Sequence, residues 1–335
     1  MLFSLLALGV LVLFFTNISL GSISIPSKEI FNSLTGGQAT KSTWEYIIIN
    51  YRLPKAITAI LVGMGLSISG LLMQTLFRNP LAGPYVLGLS SGASLGVAIV
   101  ILGASFLPHS IASLLLSSYG IVLASSLGSF LVLMAVLVVS FRLRDTMAIL
   151  IVGLMFGSLT SAVVGTLTYF STAEQLQKFT FWSMGNLGNL SWSAIAILAV
   201  CVIVGLLISL FSIKPLNALL LGENYARSMG INYNKARLLI ILATSILAGS
   251  ITAFAGPIAF IGLAVPHMAK LVFQSSNHTI LFWSTILLGA IIMLVCDSIS
   301  QLPNIDITLP INAVTSLFGA PIVIWLLVRK RKMMG

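Results

Sequence analysis

Side chains that could perform chemistry are few in this 335-residue chain and lie far apart in it. The three histidines, His109, His267 and His278, lack the short spacing of a metal site. The two cysteines, Cys201 and Cys296, each lie inside an apolar run, which favours small packed thiols over a disulfide or a metal site. No Ser–His–Asp arrangement, phosphate-binding loop or cofactor motif is visible. The sequence therefore predicts no catalytic residue, no metal ligand and no cofactor of its own.

The acidic residues are also few, at 7 Asp and Glu in total. Only Asp297 lies near a predicted membrane span, at its outer end, and a neighbour or solvent is expected to satisfy it. A proton-coupled secondary transporter usually carries carboxylates within its spans, so that class is a weaker alternative, as is a membrane enzyme, which needs a polar catalytic cluster. Five others fall in predicted loops: Glu29, Glu45, Asp145, Glu174 and Glu223.

The composition identifies the solvent of this protein as lipid. Hydrophobic residues make up 58% of the chain and charged residues only 7%, whereas a soluble domain carries about a quarter charged residues. Chains that cross lipid form either helices or closed barrels. A barrel strand alternates apolar and polar residues, and runs such as ILAVCVIVGLLISLF do not. The sequence predicts an all-α polytopic membrane bundle.

About ten spans are long or apolar enough to be membrane helices. The first reads as a retained helix rather than a signal peptide, because it lacks a positively charged n-region. The span at 257–272 is short and contains Pro257 and Pro266, so we expect it to be partial or broken. The predicted spans are 2–20, 55–75, 87–103, 111–139, 147–170, 192–213, 236–255, 257–272, 280–300 and 310–328.

The 17 basic residues orient the bundle. Scattered between apolar spans, they suit membrane topology better than nucleic-acid binding. Twelve lie in one set of loops and tails, and five lie in the other. Since cytoplasmic loops carry the excess of Lys and Arg, both termini are predicted to be cytoplasmic. Residues 1–335 are predicted to form one transmembrane domain. The larger set is Arg78, Arg142, Arg144, Lys214, Arg227, Lys235, Arg237, Lys270 and Arg329 to Lys332. The smaller set is Lys28, Lys41, Arg52, Lys55 and Lys178.

Two stretches depart from the apolar background. In FRNPLAGPYVLGLSSGASLG, Asn79-Pro80 and Gly83-Pro84 predict a turn. The small residues that follow, from Gly88 to Gly96, are spaced for close helix contact or for lining a path. In LGENYARSMGI, an acid and a base at i, i+4 followed by Gly230 predict a short capped helix. That helix is either a plain surface loop or a docking element for a cytoplasmic partner.

Five passages together resemble one family: RLPKAITAILVGMGLSISGLLMQTLFRNPLAGPYVLGLSSGA, FWSMGNL, LGENYARSMGI, GPIAFIGLAVPHMAKL and LFGAPIVIWLL. They are similar to the permease subunits of ABC importers for iron–siderophore complexes, heme and vitamin B12 (the FecCD family), from about residue 50 to the C-terminus. The resemblance implies a transport subunit of the cell inner membrane that is not an enzyme. It implies a two-fold dimer of permease subunits, two ATPase subunits that bind ATP and Mg, and an extracytoplasmic substrate-binding protein. A homodimer is the first expectation for the permease pair, and a paralogous partner is the alternative. Iron–siderophore is the first substrate expected, with heme or cobalamin as the alternative.

The resemblance also implies roles for individual residues. Those of the ATPase-coupling helix are Gly222, Glu223, Ala226, Arg227, Met229 and Gly230. Those of the cytoplasmic gate are Asn79, Leu81, Asp145 and Thr146. Arg52 and Lys55 match outward-facing basic residues that pair with carboxylates of the binding protein. Three departures lie near the outer face: Gln301 stands where the family commonly has arginine, Thr308 replaces a glutamate, and Asn312 replaces a glycine.

Overall fold

The chain is almost entirely helical in the computed structural model, which describes residues 1–37, 39–106, 108–142, 146–301 and 308–332. A π-helical turn, Ile48–Arg52, joins α3 to α4, and the 3-10 turns Pro84–Leu87 and Gly103–Phe106 flank α5. The α-helices of this part of the chain are α1 (Leu2–Ser19), α2 (Ser27–Leu34), α3 (Ser42–Ile47), α4 (Leu53–Leu76), α5 (Leu89–Ile101), α6 (His109–Leu115), α7 (Ser118–Arg142), α8 (Thr146–Tyr169), α9 (Ala173–Ser183), α10 (Trp192–Phe211), α11 (Ile213–Leu219), α12 (Glu223–Ser228), α13 (Tyr233–Ala255), α14 (Ile261–Phe273), α15 (His278–Ser300) and α16 (Ile311–Lys332).

Seven of these helices are long and apolar enough to cross a membrane, counted over the described residues. They include α1, α4, α7, α8, α10, α13 and α15. Three shorter apolar helices, α5, α14 and most of α16, coincide with the remaining predicted spans. Each predicted span contains an apolar helix, but the one predicted at 111–139 is divided between α6 and α7 by a turn at 116–117. The prediction of an all-α polytopic membrane bundle is confirmed.

Several helices begin where a polar side chain caps the first turn. Thr172 and Gln175 form a reciprocal capping box at the start of α9. Asn232 and Asn277 accept backbone N–H groups at the starts of α13 and α15. Each cap satisfies a backbone donor that the helix leaves unpaired, so the chain can turn sharply at the ends of the bundle.

Helix α4 lies at the centre of the bundle and packs against α10, α13, α14 and α15. Glycines permit the closest of these contacts. A Cβ added to Gly63 would lie 2.2 Å from the carbonyl oxygen of Gly289 in α15, and one added to Gly70 would lie 1.8 Å from that of Gly262 in α14. Small residues let membrane helices approach at backbone distance. By contrast, α1 is mostly exposed and packs chiefly on α15.

The predicted span at 257–272 is broken, as its prolines suggest. Gly256 and Phe260 adopt positive φ angles of 76° and 66°, and the helix α14 begins only after them. Its 13 residues reach about 20 Å, less than the ~30 Å hydrocarbon core. In the non-helical stretch, the backbone N–H of Ala259 donates to Oδ1 of Asn312 at 3.0 Å. Irregular backbone is tolerated at this depth only where its polar groups are paired within the protein.

Contacts between loops define two ends of the bundle. At one, which we call the α12 end, the ring of Phe3 lies 4.8 Å from that of Phe273, and Arg78 donates to the carbonyl of Leu220. The start of α1 and the loops with the larger share of basic residues therefore meet there. At the other, which we call the Asp297 end, α1 finishes beside Asp297. The assignment of the α12 end to the cytoplasm remains a prediction.

Candidate functional site

The polar stretch forms α12, a helix of 6 residues with glycine on both sides. Gly222 precedes it with φ 111°, and Gly230 follows it with φ 79°. At its C-terminus, Ile231 N–H donates to Ala226 O at 3.1 Å, and Gly230 N–H donates to Arg227 O at 3.0 Å. This pair of bonds is a Schellman motif, which requires the left-handed conformation that glycine adopts freely. The prediction of a short helix capped by Gly230 is confirmed.

Arg227 is held from two sides. Its guanidinium donates to Glu223 Oε1 at 2.7 Å through Nη2 and at 3.1 Å through Nε, confirming the predicted i, i+4 pair. The Tyr233 ring at the start of α13 lies 5.5 Å from the guanidinium carbon of Arg227 and 5.7 Å from that of Arg237. An exposed ion pair contributes little to stability. The main effect of these contacts is to hold the charges of Glu223 and Arg227 in fixed positions on α12. The contact with Tyr233 also connects α12 to α13.

The structure exposes four of the six predicted coupling residues and buries two. Glu223, Arg227, Met229 and Gly230 are accessible to solvent, whereas Gly222 and Ala226 are buried. Tyr225, which the sequence analysis did not select, is 51% exposed beside Met229 at 60%. The i, i+4 spacing of Tyr225 and Met229 could have indicated this from the sequence, since it places both side chains on one helix face. The contact of this surface with a partner remains a prediction.

A cavity of about 310 Å³ separates α12 from the end of α4. Arg78, with φ 48°, closes the last turn of α4 and points its Nη2 at the Leu220 carbonyl, 3.4 Å away. The segment that leads into α12 is thereby connected to α4. The cavity is lined by Thr75, Leu76, Phe77, Arg78, Leu219, Glu223 and Tyr233.

The predicted gate begins directly after Arg78. Asn79 Oδ1 accepts the N–H of Leu81 at 2.9 Å, a local turn that leaves the Leu81 side chain 43% exposed. His267 of α14 holds the turn through Nε2, 2.8 Å from Pro80 O, as expected of a structural histidine. Asp145 lies outside the described residues, and Thr146 is the first residue of α8. The gating role of these four residues remains a prediction.

At the Asp297 end, Arg52 caps the C-terminus of α1. Its Nη1 donates to Ile18 O at 3.0 Å and to Ser19 O at 3.1 Å, and its Nη2 donates to Ile23 O. The residue is only 8% exposed. A cation at a helix C-terminus satisfies carbonyls that have no partner in the helix. Docking by Arg52 remains a prediction, and these contacts give its guanidinium a role inside the chain.

Asp297 is also satisfied by its neighbours. Its carboxylate is 3.1 Å from Lys55 Nζ and accepts from Asn17 Nδ2 at 2.9 Å and Gln301 Nε2 at 2.7 Å. The residue is 1% exposed, and a buried charge is tolerated only when it is paired and hydrogen-bonded in this way. The expected helix-end role of Asp297 fits these contacts. Lys55 keeps partial exposure, and its docking role remains a prediction.

The small-residue segment after the gate divides into two parts. Gly92 and Gly96 provide close packing, because an added Cβ would lie 2.5 Å from Gly128 O and 2.0 Å from Ala124 O of α7, respectively. One turn earlier, the segment opens onto a cavity of about 470 Å³. That cavity is lined by Tyr85, Gly88, Ser91, Gly153, Leu154, Gly157, Ser158 and Ser161. Close helix packing is therefore confirmed for Gly92 and Gly96, and a path-lining role for Gly88 and Ser91 remains a prediction.

Comparison with known proteins agrees with this geometry. The model of the FecCD transport family matches residues 9–329. The chain belongs to the FecCD transport family. The hemin transport system permease protein HmuU of Yersinia pestis is 34% identical over 98% of this chain and 96% of its own length. The vitamin B12 import system permease protein BtuC of Citrobacter koseri is 36% identical over 86% of this chain and 84% of its own.

The fold is shared as well. A solved structure of an ABC transporter assigned to the metal-chelate type, in an inward-facing conformation, superposes with a TM-score of 0.84 at 29% identity, covering 98% of this chain and 99% of that one. As a FecCD protein, the chain is a multi-pass membrane transport component and not an enzyme. Two departures from the FecCD pattern have visible partners: Gln301 binds Asp297, and Asn312 binds the broken span. Thr308 lines a cavity with Lys55 at the Asp297 end.

Proposed function

We propose that this chain is the transmembrane permease subunit of an ATP-driven importer of metal chelates. The observation that carries the proposal is α12, a rigidly capped helix with an oriented ion pair, exposed at one end of a bundle of the FecCD family. A binding protein delivers the substrate at the Asp297 end. Closure of two ATPase subunits at the α12 end then rocks two copies of the permease against each other and opens the path between them.

The charge distribution supports this orientation. The α12 end collects the loops that hold the larger share of basic residues, and such loops face the cytoplasm. ATP is available there, and the ATPase subunits, not this chain, bind it with Mg. The cavity lined by glycines and serines beside α5 offers small side chains to a bulky passenger. The partners are a second copy of this chain, two ATPases and the binding protein, with residues 1–335 forming one transmembrane permease domain.

For the substrate, we propose an iron–siderophore complex. Relatives named as hemin and vitamin B12 permeases support heme and cobalamin equally, and all three are metal chelates. Uptake of a ferric hydroxamate, hemin and cyanocobalamin into proteoliposomes, with the complete transporter and its binding protein, separates them. ATP-dependent uptake of the ferric hydroxamate is expected. Uptake confined to hemin or cyanocobalamin would transfer the assignment to that chelate.

The coupling role of α12 is tested by reversing one charge. Arg227→Glu places two acids at i, i+4 and removes the cation held over Tyr233, so it should lower both uptake and binding-protein-stimulated ATP hydrolysis by on the order of tenfold. Lys235→Glu is the matched control, because Lys235 is an exposed base on the neighbouring turn and undergoes the same charge change. Wild-type uptake and ATPase stimulation in Arg227→Glu would show that α12 does not dock the ATPase.

A further inference from the structure

Three polar side chains from three helices meet at the start of α15. His278, the first residue of α15, points Nε2 at Thr75 Oγ1 of α4, 2.8 Å away, and Nδ1 at Asn217 Oδ1 of α11, 3.0 Å away. His278 is 1% exposed and Thr75 is 6% exposed. We call these three residues the His278 junction. It joins three helices that are far apart in the sequence.

The hydrogen bonds of the junction have a defined direction. The backbone N–H of His278 also donates to Asn217 Oδ1, at 2.8 Å, so that amide atom must be the oxygen, an acceptor. The ring nitrogen facing the same oxygen, Nδ1, then carries the proton. In the neutral ring Nε2 is left as an acceptor, and the donor that faces it is the Thr75 hydroxyl, which is also 3.0 Å from the carbonyl oxygen of Leu71 in its own helix. A single oxygen of α11 is thus bonded twice to α15, and the same imidazole is bonded to α4.

The junction lies between the docking helix and the gate. Asn217 is near the end of α11, which passes into α12 after the turn at Gly222. Thr75 lies one turn before Arg78, which begins the segment that carries Asn79 and Leu81. If α12 moves and α11 moves with it, the displacement passes from Asn217 to the rigid imidazole ring of His278. It passes from that ring to Thr75 at the end of α4.

Close-packed apolar side chains transmit displacement between helices, and the His278 junction adds directional hydrogen bonds to that packing. Breaking one of these buried bonds leaves a polar group unsatisfied at a cost. We infer that His278 is a positioning residue of the transport cycle, which passes movement of α12 to the gate segment after α4. The inference rests on the proposed function.

The test measures substrate molecules transported per ATP hydrolysed, in the complete reconstituted transporter with the same three chelates. Thr75→Val removes the hydroxyl but preserves the shape of the side chain. It should lower this ratio about fivefold, the factor that corresponds to one hydrogen bond, while ATP hydrolysis continues. Thr58→Val is the matched control, since Thr58 is a buried threonine of the same helix whose hydroxyl bonds only its own helix, at Pro54 O. Its ratio should stay at the wild-type value.

Asn217→Leu removes the hydrogen bonds between α11 and His278. It provides the same test of the transport ratio if the Thr75→Val transporter does not assemble. Because both arms belong to one path, the double variant should be no worse than the more severe single variant. A wild-type ratio in both single variants overturns the inference, as does an equal fall in Thr58→Val, which would indicate a loss of packing. Absence of ATP-dependent uptake in the wild-type transporter refutes the proposed function instead, so the two failures are distinct.

Discussion

The contact between α4 and α15 at Gly63 leads to a quantitative prediction. A Cβ at this position would lie 2.2 Å from the carbonyl oxygen of Gly289 and 2.8 Å from Cβ of Met293, where ordinary contact begins at 3.4 Å. The obstructing oxygen belongs to a helix backbone and cannot rotate away. In Gly63→Ala the two helices must therefore separate by about 1 Å over their central turns, and overpacking of this kind costs about 1–3 kcal/mol.

The matched control is Gly249→Ala in α13. Gly249 is also a buried glycine of a long membrane helix, but its added Cβ would find only Ser129 Cβ at 3.8 Å, an ordinary contact. Alanine is preferred to glycine in a helix by about 1 kcal/mol, so this variant should be neutral or slightly more stable. The helix-propensity gain is common to both variants, so we expect them to differ by the overpacking cost of about 1–3 kcal/mol in the free energy of unfolding, with Gly63→Ala the less stable.

Thermal unfolding of the purified protein in detergent, followed by size-exclusion fluorescence, measures the difference. Gly63→Ala should unfold about 5 °C below Gly249→Ala, which should unfold at or slightly above the wild-type temperature. Since Gly63 and Gly289 share one contact, alanine at both should cost less than twice the single change if the helices have already separated. Equal unfolding temperatures for Gly63→Ala and Gly249→Ala would refute the argument, because the backbone would then have absorbed the methyl group without movement.

Two further predictions concern charged groups, one at the Asp297 end and one in helix α2. Lys55→Met should destabilise the protein by about 3 kcal/mol, because it leaves Asp297 buried without its cation. The double variant Lys55→Met, Asp297→Leu should regain most of that loss in the same thermal assay. Additive losses from the two substitutions would contradict the pairing. The Thr40 hydroxyl and N–H bonded to Glu29 hold the pKa of that carboxyl below its ordinary value. The stabilisation that ionised Glu29 gives to the folded protein is therefore fully present above the ordinary pKa of a glutamate. It is lost as the pH falls through the lowered pKa. Thr40→Val should raise the pKa in a ¹³C NMR titration of labelled glutamate, and an unchanged titration curve would contradict the hydrogen bond.

The features that the sequence predicted well depend on neighbours along the chain. Apolar runs located the spans, and the spacing of Glu223, Arg227 and Gly230 gave the cap and ion pair of α12, because both arise within one or two helical turns. Pro257 marked the break in the predicted span at 257–272 for the same reason, whereas Pro266 lies inside α14 without interrupting it.

Partners that are distant in the sequence could not be inferred in this way. Thr75 and His278 are 203 positions apart, and no local pattern connects them. Asn312 stood out only as a departure from the family, and its hydrogen bond to the broken span became visible only in three dimensions. Ala226 is the opposite case. Its place in the motif suggested that it contacts a partner, whereas in the fold its side chain is fully buried against the bundle.

The attachment of α1 has a consequence for how this protein is made. Its Asn17 is bonded to Asp297, a residue 280 positions later, and most of its packing contacts are also with α15. At synthesis rates of about 5–20 residues per second, α1 waits on the order of tens of seconds in the bilayer before its binding site exists. During that time the Asn17 amide lacks its partner on α15, and the contacts of α1 are those with nearby segments such as the Arg52 cap. Its docking onto α15 is thus among the last events of assembly, and a ribosome that stalls before residue 297 would leave that contact unmade.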